Sequence, residues 1–227
     1  MAKLPALFIV FTLMLGLTKT HVASAKTQLT EQFFQGALIV GKTAPENRVM
    51  LNGKAIKVSA SGDYALGFSR DEKNNSVLTI TSPSGEIEKR TLKPLKREYN
   101  IQRIEGIAKK IMNPNKKANI RVGEDNKKIK AARTIDSNLT AFAQGFIVPD
   151  MFYSGGTMII DHGHGVSSTF LHLSDAYVNV GDKVVQGQLV AAVGSSGRAT
   201  GPHLDWRINW FDVRLDPALV LKLTPLK

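Results

Sequence analysis

From about Gln28 to Pro94, apolar and polar positions alternate in short runs separated by turn residues, the period of half-buried strands. "FFQGALIVG", "RVML", "AIKVS", "YALGFS", "SVLTITS" and "EIEKRTL" are rich in Val, Ile, Leu, Thr and aromatics. Asn52-Gly53 is the two-residue signal of a tight hairpin, and Ser82-Pro83-Ser84-Gly85 marks a second turn. Six short strands at this spacing predict a small β-sandwich of immunoglobulin-like type over residues 26–96. From residue 97 to 144 the alternation stops. Within it, "EDNKKIKAARTIDSNLTAFAQGF" (124–146) sets Ile129, Ala132, Ile135 and Leu139 at near-helical spacing, which predicts a linker holding one amphipathic helix. From residue 145 to 227 strand-like runs return ("GTMIIDHG", "GVSSTFLHLS", "GQLVAAVG", "HLDWRINW") between glycine turns. The fold class is mostly β.

The first 25 residues break this pattern. Lys3 precedes a nearly unbroken apolar run from Leu4 to Leu17, and Ala23-Ser24-Ala25 fits the small-x-small cleavage rule. The run is short for a span, and no other stretch approaches the needed length. A signal peptide with cleavage after Ala25 is expected, giving an exported, periplasmic or envelope-associated protein that is not an integral membrane protein.

Composition sharpens the picture in two places. There is no cysteine, so disulfides and thiolate zinc sites are excluded, leaving His, Asp and Glu as strong metal ligands. The formal charge is +11, and residues 89–133 hold fifteen Lys or Arg against four acids. A solvated linker explains such a block, and in an exported chain its partners are anionic envelope components rather than nucleic acid.

Candidate chemistry gathers in the last third, where His162, His164, His172 and His203 all lie. In "GPHLDW" (201–206), strand alternation places His203, Asp205, Arg207 and Asn209 on one side and Leu204, Trp206, Ile208 and Trp210 on the other. A His-x-Asp pair suits proton transfer or metal binding but needs further partners, and His172 in "STFLHLS" is one candidate. His162 and His164 flank Gly163 in a hairpin, where no special role is required. "GSSGRATG" (194–201) lacks the spacing of a phosphate loop and of a nucleophile elbow. Lys183 has the turn setting of a lipoyl-type lysine, but reads as an exposed turn residue.

Over about residues 146–220, "GGTMIIDHGHGVSSTFLHLS", "VNVGDKVVQGQLVAAVGSSGRATGPHLDWRINW" and "LDPALV" resemble the C-terminal half of the LytM/lysostaphin-type zinc metallopeptidases. Most of these cut peptide cross-links in bacterial cell walls. The resemblance implies an antiparallel, barrel-sandwich-hybrid-like β domain. It also implies zinc held by a His and an Asp of an early H-x-x-x-D motif and by the last residue of a late H-x-H motif. Carried over, Asp205 is the metal ligand of the late motif, with Asp in place of His, and His172 and His203 are the assisting catalytic histidines. The early motif has no counterpart. "QGFIVP", which resembles the opening of that domain, runs straight into "DMFYSGG" at Pro149–Asp150, where the family has several strands carrying both early ligands.

The resemblance therefore implies a cell-wall (peptidoglycan) metalloendopeptidase homologue with a truncated peptidase domain, impaired catalysis, and weak or absent zinc binding. The alternatives are a non-catalytic module that binds peptidoglycan or regulates a cell-wall hydrolase, and a non-functional deletion remnant.

Overall fold

The computed structural model describes residues 27–29, 33–99, 105, 115–134 and 143–222, with the side chains of 143–150 outside that description. The expected signal peptide and much of the expected linker lie outside the described residues.

Seven strands build two antiparallel sheets. One orders β1 (Gln28–Leu29), β2 (Leu38–Lys42) and β5 (Asp63–Gly67); the other orders β4 (Lys54–Ile56), β3 (Arg48–Leu51), β6 (Ser76–Thr81) and β7 (Ile87–Leu92) as β4-β3-β6-β7. The alternation turns one side of each strand inward, so Ile39, Val49, Leu66 and Leu78 are wholly buried in a shared core. Asn52 and Gly53 both have positive φ (49° and 80°), the turn geometry that matches strand twist and joins β3 to β4. The Asn52 side chain also receives the Val77 N–H and donates to Ser76 Oγ, tying the turn to β6.

Helix α1 spans Lys116–Arg133. It begins eight residues ahead of the expected segment because the Asn115 side chain accepts the Ala118 N–H and caps it. The far end also differs from expectation: Ala143–Met151 is strand β8, pairing with β9 (Gly155–Gly163), so its backbone bonds go to a sheet rather than a helix. Asp125, buried on α1, accepts the Phe152 N–H and anchors the helix to the β8–β9 turn.

The C-terminal sheet has seven antiparallel strands. With β10 (Val166–Ala176), β11 (Lys183–Val184), β12 (Ala191–Val193), β13 (Asp205–Trp210) and β14 (Val213–Leu215), its order is β11-β8-β9-β10-β13-β14. The first part of β10 pairs with β13 and its last part with β12. A short helix α2 (Pro217–Val220), capped by Asp216, follows. Val166, Ile208, Trp210 and Leu215 enter the N-terminal core, so the two parts of the chain share one apolar interior. The Arg97–Asp216 ion pair and the bond from Asp216 N–H to Gly36 C=O close the seam. Among the described residues no helix is long and apolar enough to cross a membrane.

Candidate functional site

His172 sits on β10 at a bulge, where pairing with β9 is interrupted between Phe170 and Leu173. Its φ is +61°, a conformation that costs a non-glycine residue about 1–3 kcal/mol and marks strained, often functional positions. The bond from its N–H to Ser154 C=O holds that geometry at 2.8 Å. Its ring is buried, with Nδ1 2.8 Å from the Ser196 carbonyl. His203 is exposed just before β13, its N–H donating to Gly194 C=O and its Nδ1 2.8 Å from the Gly201 carbonyl. The two rings stand 4.7 Å apart, tilted by 44°. A carbonyl only accepts, so each Nδ1 donates a proton in these bonds. The site thus presents two adjacent imidazole rings with their Nδ1 atoms anchored.

Behind them, the "GSSGR" loop does structural work. Ser196 Oγ donates to Leu173 C=O and accepts the Gly156 N–H, and the Arg198 N–H reaches Tyr153 C=O. Gly155, at φ +61°, lies so close to this loop that a Cβ there would stand 2.3 Å from Ser196 Oγ. The same loop supplies the carbonyl that orients His172.

Asp205 opens β13 on the side predicted by alternation, and there it meets Arg207. Arg207 Nε donates to both carboxylate oxygens at 2.8 and 3.0 Å, and its Nη2 donates to Oδ2 at 2.5 Å. Burial works to raise the Asp205 carboxyl, but the Arg207 bonds and charge outweigh it. With nearby His172 and Arg214 they hold it below the usual carboxylate range. Arg214 of β14 adds positive charge near it, and Arg133 of α1 lies near Arg207, Arg214 and Asp212. Burial, then repulsion from Arg214 and Arg207, lowers Arg133 to about 10. Arg214 is lowered too, by burial and then by Arg207.

The remaining histidines stand apart. His162 Nε2 meets Ser168 Oγ at 2.6 Å, and His164 Nδ1 faces the Lys57 carbonyl at 3.3 Å. Both are at the hairpin end of β10, beside a cavity of about 260 Å³ lined chiefly by Leu38, Val40, Tyr64 and Val166. The structure therefore brings His172, His203 and Asp205 into one region and leaves His162 and His164 outside it. Strand alternation puts Arg207 on the same side as Asp205, but its pairing with that carboxylate was not anticipated from the sequence. Arg133 and Arg214 carried no such local signal.

A zinc ion, which the resemblance implies, can be tested against these donors. Among the described residues no group of three or more His, Cys, Asp or Glu side chains is placed to hold a metal. Both Asp205 oxygens already accept from Arg207, and the Arg207 and Arg214 guanidiniums oppose any added cation. The donor set does not fit zinc.

Comparison with known proteins agrees with the residues. Over 56 residues the chain is 41% identical to the peptidoglycan DD-endopeptidase ShyA of Vibrio cholerae, a match covering 25% of this chain and 13% of that protein. Over 71 residues it is 35% identical to the DD-carboxypeptidase/endopeptidase Mpg of Neisseria meningitidis, covering 31% and 16%. The matches thus span less than a fifth of those relatives' lengths. A crystal structure of a Pseudomonas aeruginosa protein described under peptidase M23 shares the fold, with a TM-score of 0.59 at 23% identity over 82% of this chain and 93% of that one. Residues 124–217 match Peptidase family M23.

Proposed function

We propose that this is an exported, periplasmic or envelope-associated protein that binds peptidoglycan without cutting it, a non-catalytic derivative of the M23 metalloendopeptidases. The carrying observation is the Arg207 fork on Asp205. A carboxylate whose oxygens accept from a guanidinium is a poor ligand for a second cation, since the arginine is always charged. Supporting it, the two histidines that would manage protons are present and oriented, while among the described residues no group of His, Asp or Glu is placed to hold a metal. Peptidoglycan is the target by descent, because the matched relatives are named for acting on it. Export rests on the N-terminal pattern of Lys3, the apolar run and Ala-Ser-Ala.

In this reading residues 26–96 are an immunoglobulin-like positioning domain, 97–144 a basic linker, and 145–227 a truncated LytM-type domain. At the expected deletion point, Pro149–Asp150, the pairing of β8 with β9 shifts register between Val148 and Met151, and a turn at 152–154 held by the Ser196 loop follows.

The test is direct. Purified mature protein is incubated with isolated cell-wall sacculi, with and without added zinc, and both sedimentation and soluble fragments are measured. Cosedimentation without fragment release is expected. Release of cross-link fragments that Asp205→Ala abolishes would restore the peptidase and end this proposal.

A further inference from the structure

Helix α1 has one side docked and the rest in solvent. The helical period sets Ala118, Val122, Asp125, Ile129 and Ala132 along one seam, and these positions are buried or half-buried. The opposite side carries Lys116, Ile120, Gly123 and Lys127, with Lys130 on one flank and Lys117 and Lys128 on the other, all exposed. The helix holds seven Lys or Arg and two acids, and one of those acids, Asp125, is buried and bonded to the Phe152 N–H. Among the described residues no carboxylate stands within ion-pair distance of Lys116, Lys117, Lys127, Lys128 or Lys130.

This charge works against the helix itself. Lys116 and Lys117 occupy the first turn, which has no acid to match the positive end of the helix dipole. Lys117 with Arg121, and Lys127 with Lys130, set like charges one turn apart. An anionic surface would relieve all of these at once. The exposed lysines run about 21 Å along the axis and around more than half the circumference, so they converge on no single small anion. Ile120 stands among them, 59% exposed. A soluble charged polymer rewards only the lysines. A lipid surface rewards both, setting its phosphates against the lysines and taking the isoleucine into the headgroup layer.

We propose that α1 lies on an anionic phospholipid surface by its Lys116–Ile120–Lys127 side and makes the protein a peripheral membrane protein. This goes beyond wall binding and rests only on the exported placement. One turn joins the attachment to the histidine pair: Asp125 accepts the Phe152 N–H, and Ser154, two residues on, accepts the His172 N–H. The membrane-held helix thus keeps His172 and His203 close to the lipid surface.

Vesicle sedimentation of the full mature chain tests this, using phosphatidylcholine alone and phosphatidylcholine rich in phosphatidylglycerol. Binding to the anionic vesicles only is expected, falling as added salt screens the lysines. Lys127→Gln with Lys130→Gln should weaken it about 25-fold, at about fivefold per lysine, with an unchanged melting transition. Lys73→Gln with Lys89→Gln removes the same charge from exposed positions of the sandwich and should leave binding nearly unchanged. Ile120→Ser should weaken vesicle binding about tenfold, the value of burying part of one isoleucine. Equal losses from the two lysine pairs would mean that overall charge acts rather than α1, and an Ile120→Ser protein that binds as before would mean that no lipid layer receives the helix. Either result overturns the proposal, as does binding to both kinds of vesicle or to neither. Lipid-free sacculi test the wall reading separately, whatever the vesicles show.

Discussion

Gly67, at the end of β5, is where the N-terminal sandwich meets the C-terminal sheet most closely. A Cβ there would stand 2.5 Å from Trp210 Cβ, 3.0 Å from its Cγ and 3.1 Å from Leu215 Cδ2. Carbon atoms in good contact sit about 3.5–4.0 Å apart, so Gly67→Ala needs a shift of about 1 Å. The obstructing atom is the root of Trp210, tied to the backbone of β13, so no rotamer change can relieve it. The Gly67 φ lies outside the positive range that favours glycine, so the cost is steric rather than conformational. Overpacking of this kind costs about 1–3 kcal/mol. For a chain of this size each kcal/mol lowers Tm by about 2–4 °C, giving a fall of about 2–12 °C. Because Trp210 belongs to the same core as Ile39 and Leu66, calorimetry should show the main transition moving as a whole. A Tm unchanged within about one degree would mean that the two parts do not pack as described.

Three further substitutions test other contacts. Gly123→Ala, on the exposed side of α1 with open space around its Cβ, should stabilise the helix by about 1 kcal/mol, read as a higher urea midpoint, and a lower midpoint would contradict the placement. Asp125→Ala strands the Phe152 N–H and should weaken α1 docking by about 1–3 kcal/mol, seen as faster amide exchange across Lys116–Arg133; unchanged protection would refute the anchor. Asp205 has a folded-state pKa below its ordinary 3.8, so it adds stability above that value and loses it as pH falls through the folded pKa. Asp205→Asn should therefore flatten the decline of Tm between about pH 5 and pH 2, and parallel curves for both proteins would count against the Arg207 pairing.

Local features of the fold were legible without coordinates. Asn52-Gly53 specifies its turn because both residues tolerate positive φ, and period-two alternation in "SVLTITS" fixes which side of β6 is buried. Asn115 could have been read as the helix cap. The apolar spacing at Ile135 and Leu139 pulled the expected helix too far along the chain, toward residues whose backbone pairs in β8. The site was legible as a set of residues, since His172, His203 and Asp205 each sit in a recognisable stretch. Their relations were not. A bulge in β10 and the Ser196 carbonyl turn His172 toward His203, and the β13–β14 register brings Arg214 near Asp205. Propensity, capping and alternation act over a few residues and are written in them. Which charges meet across strands depends on register and close packing, which link distant positions and are set when the sheet and helix dock.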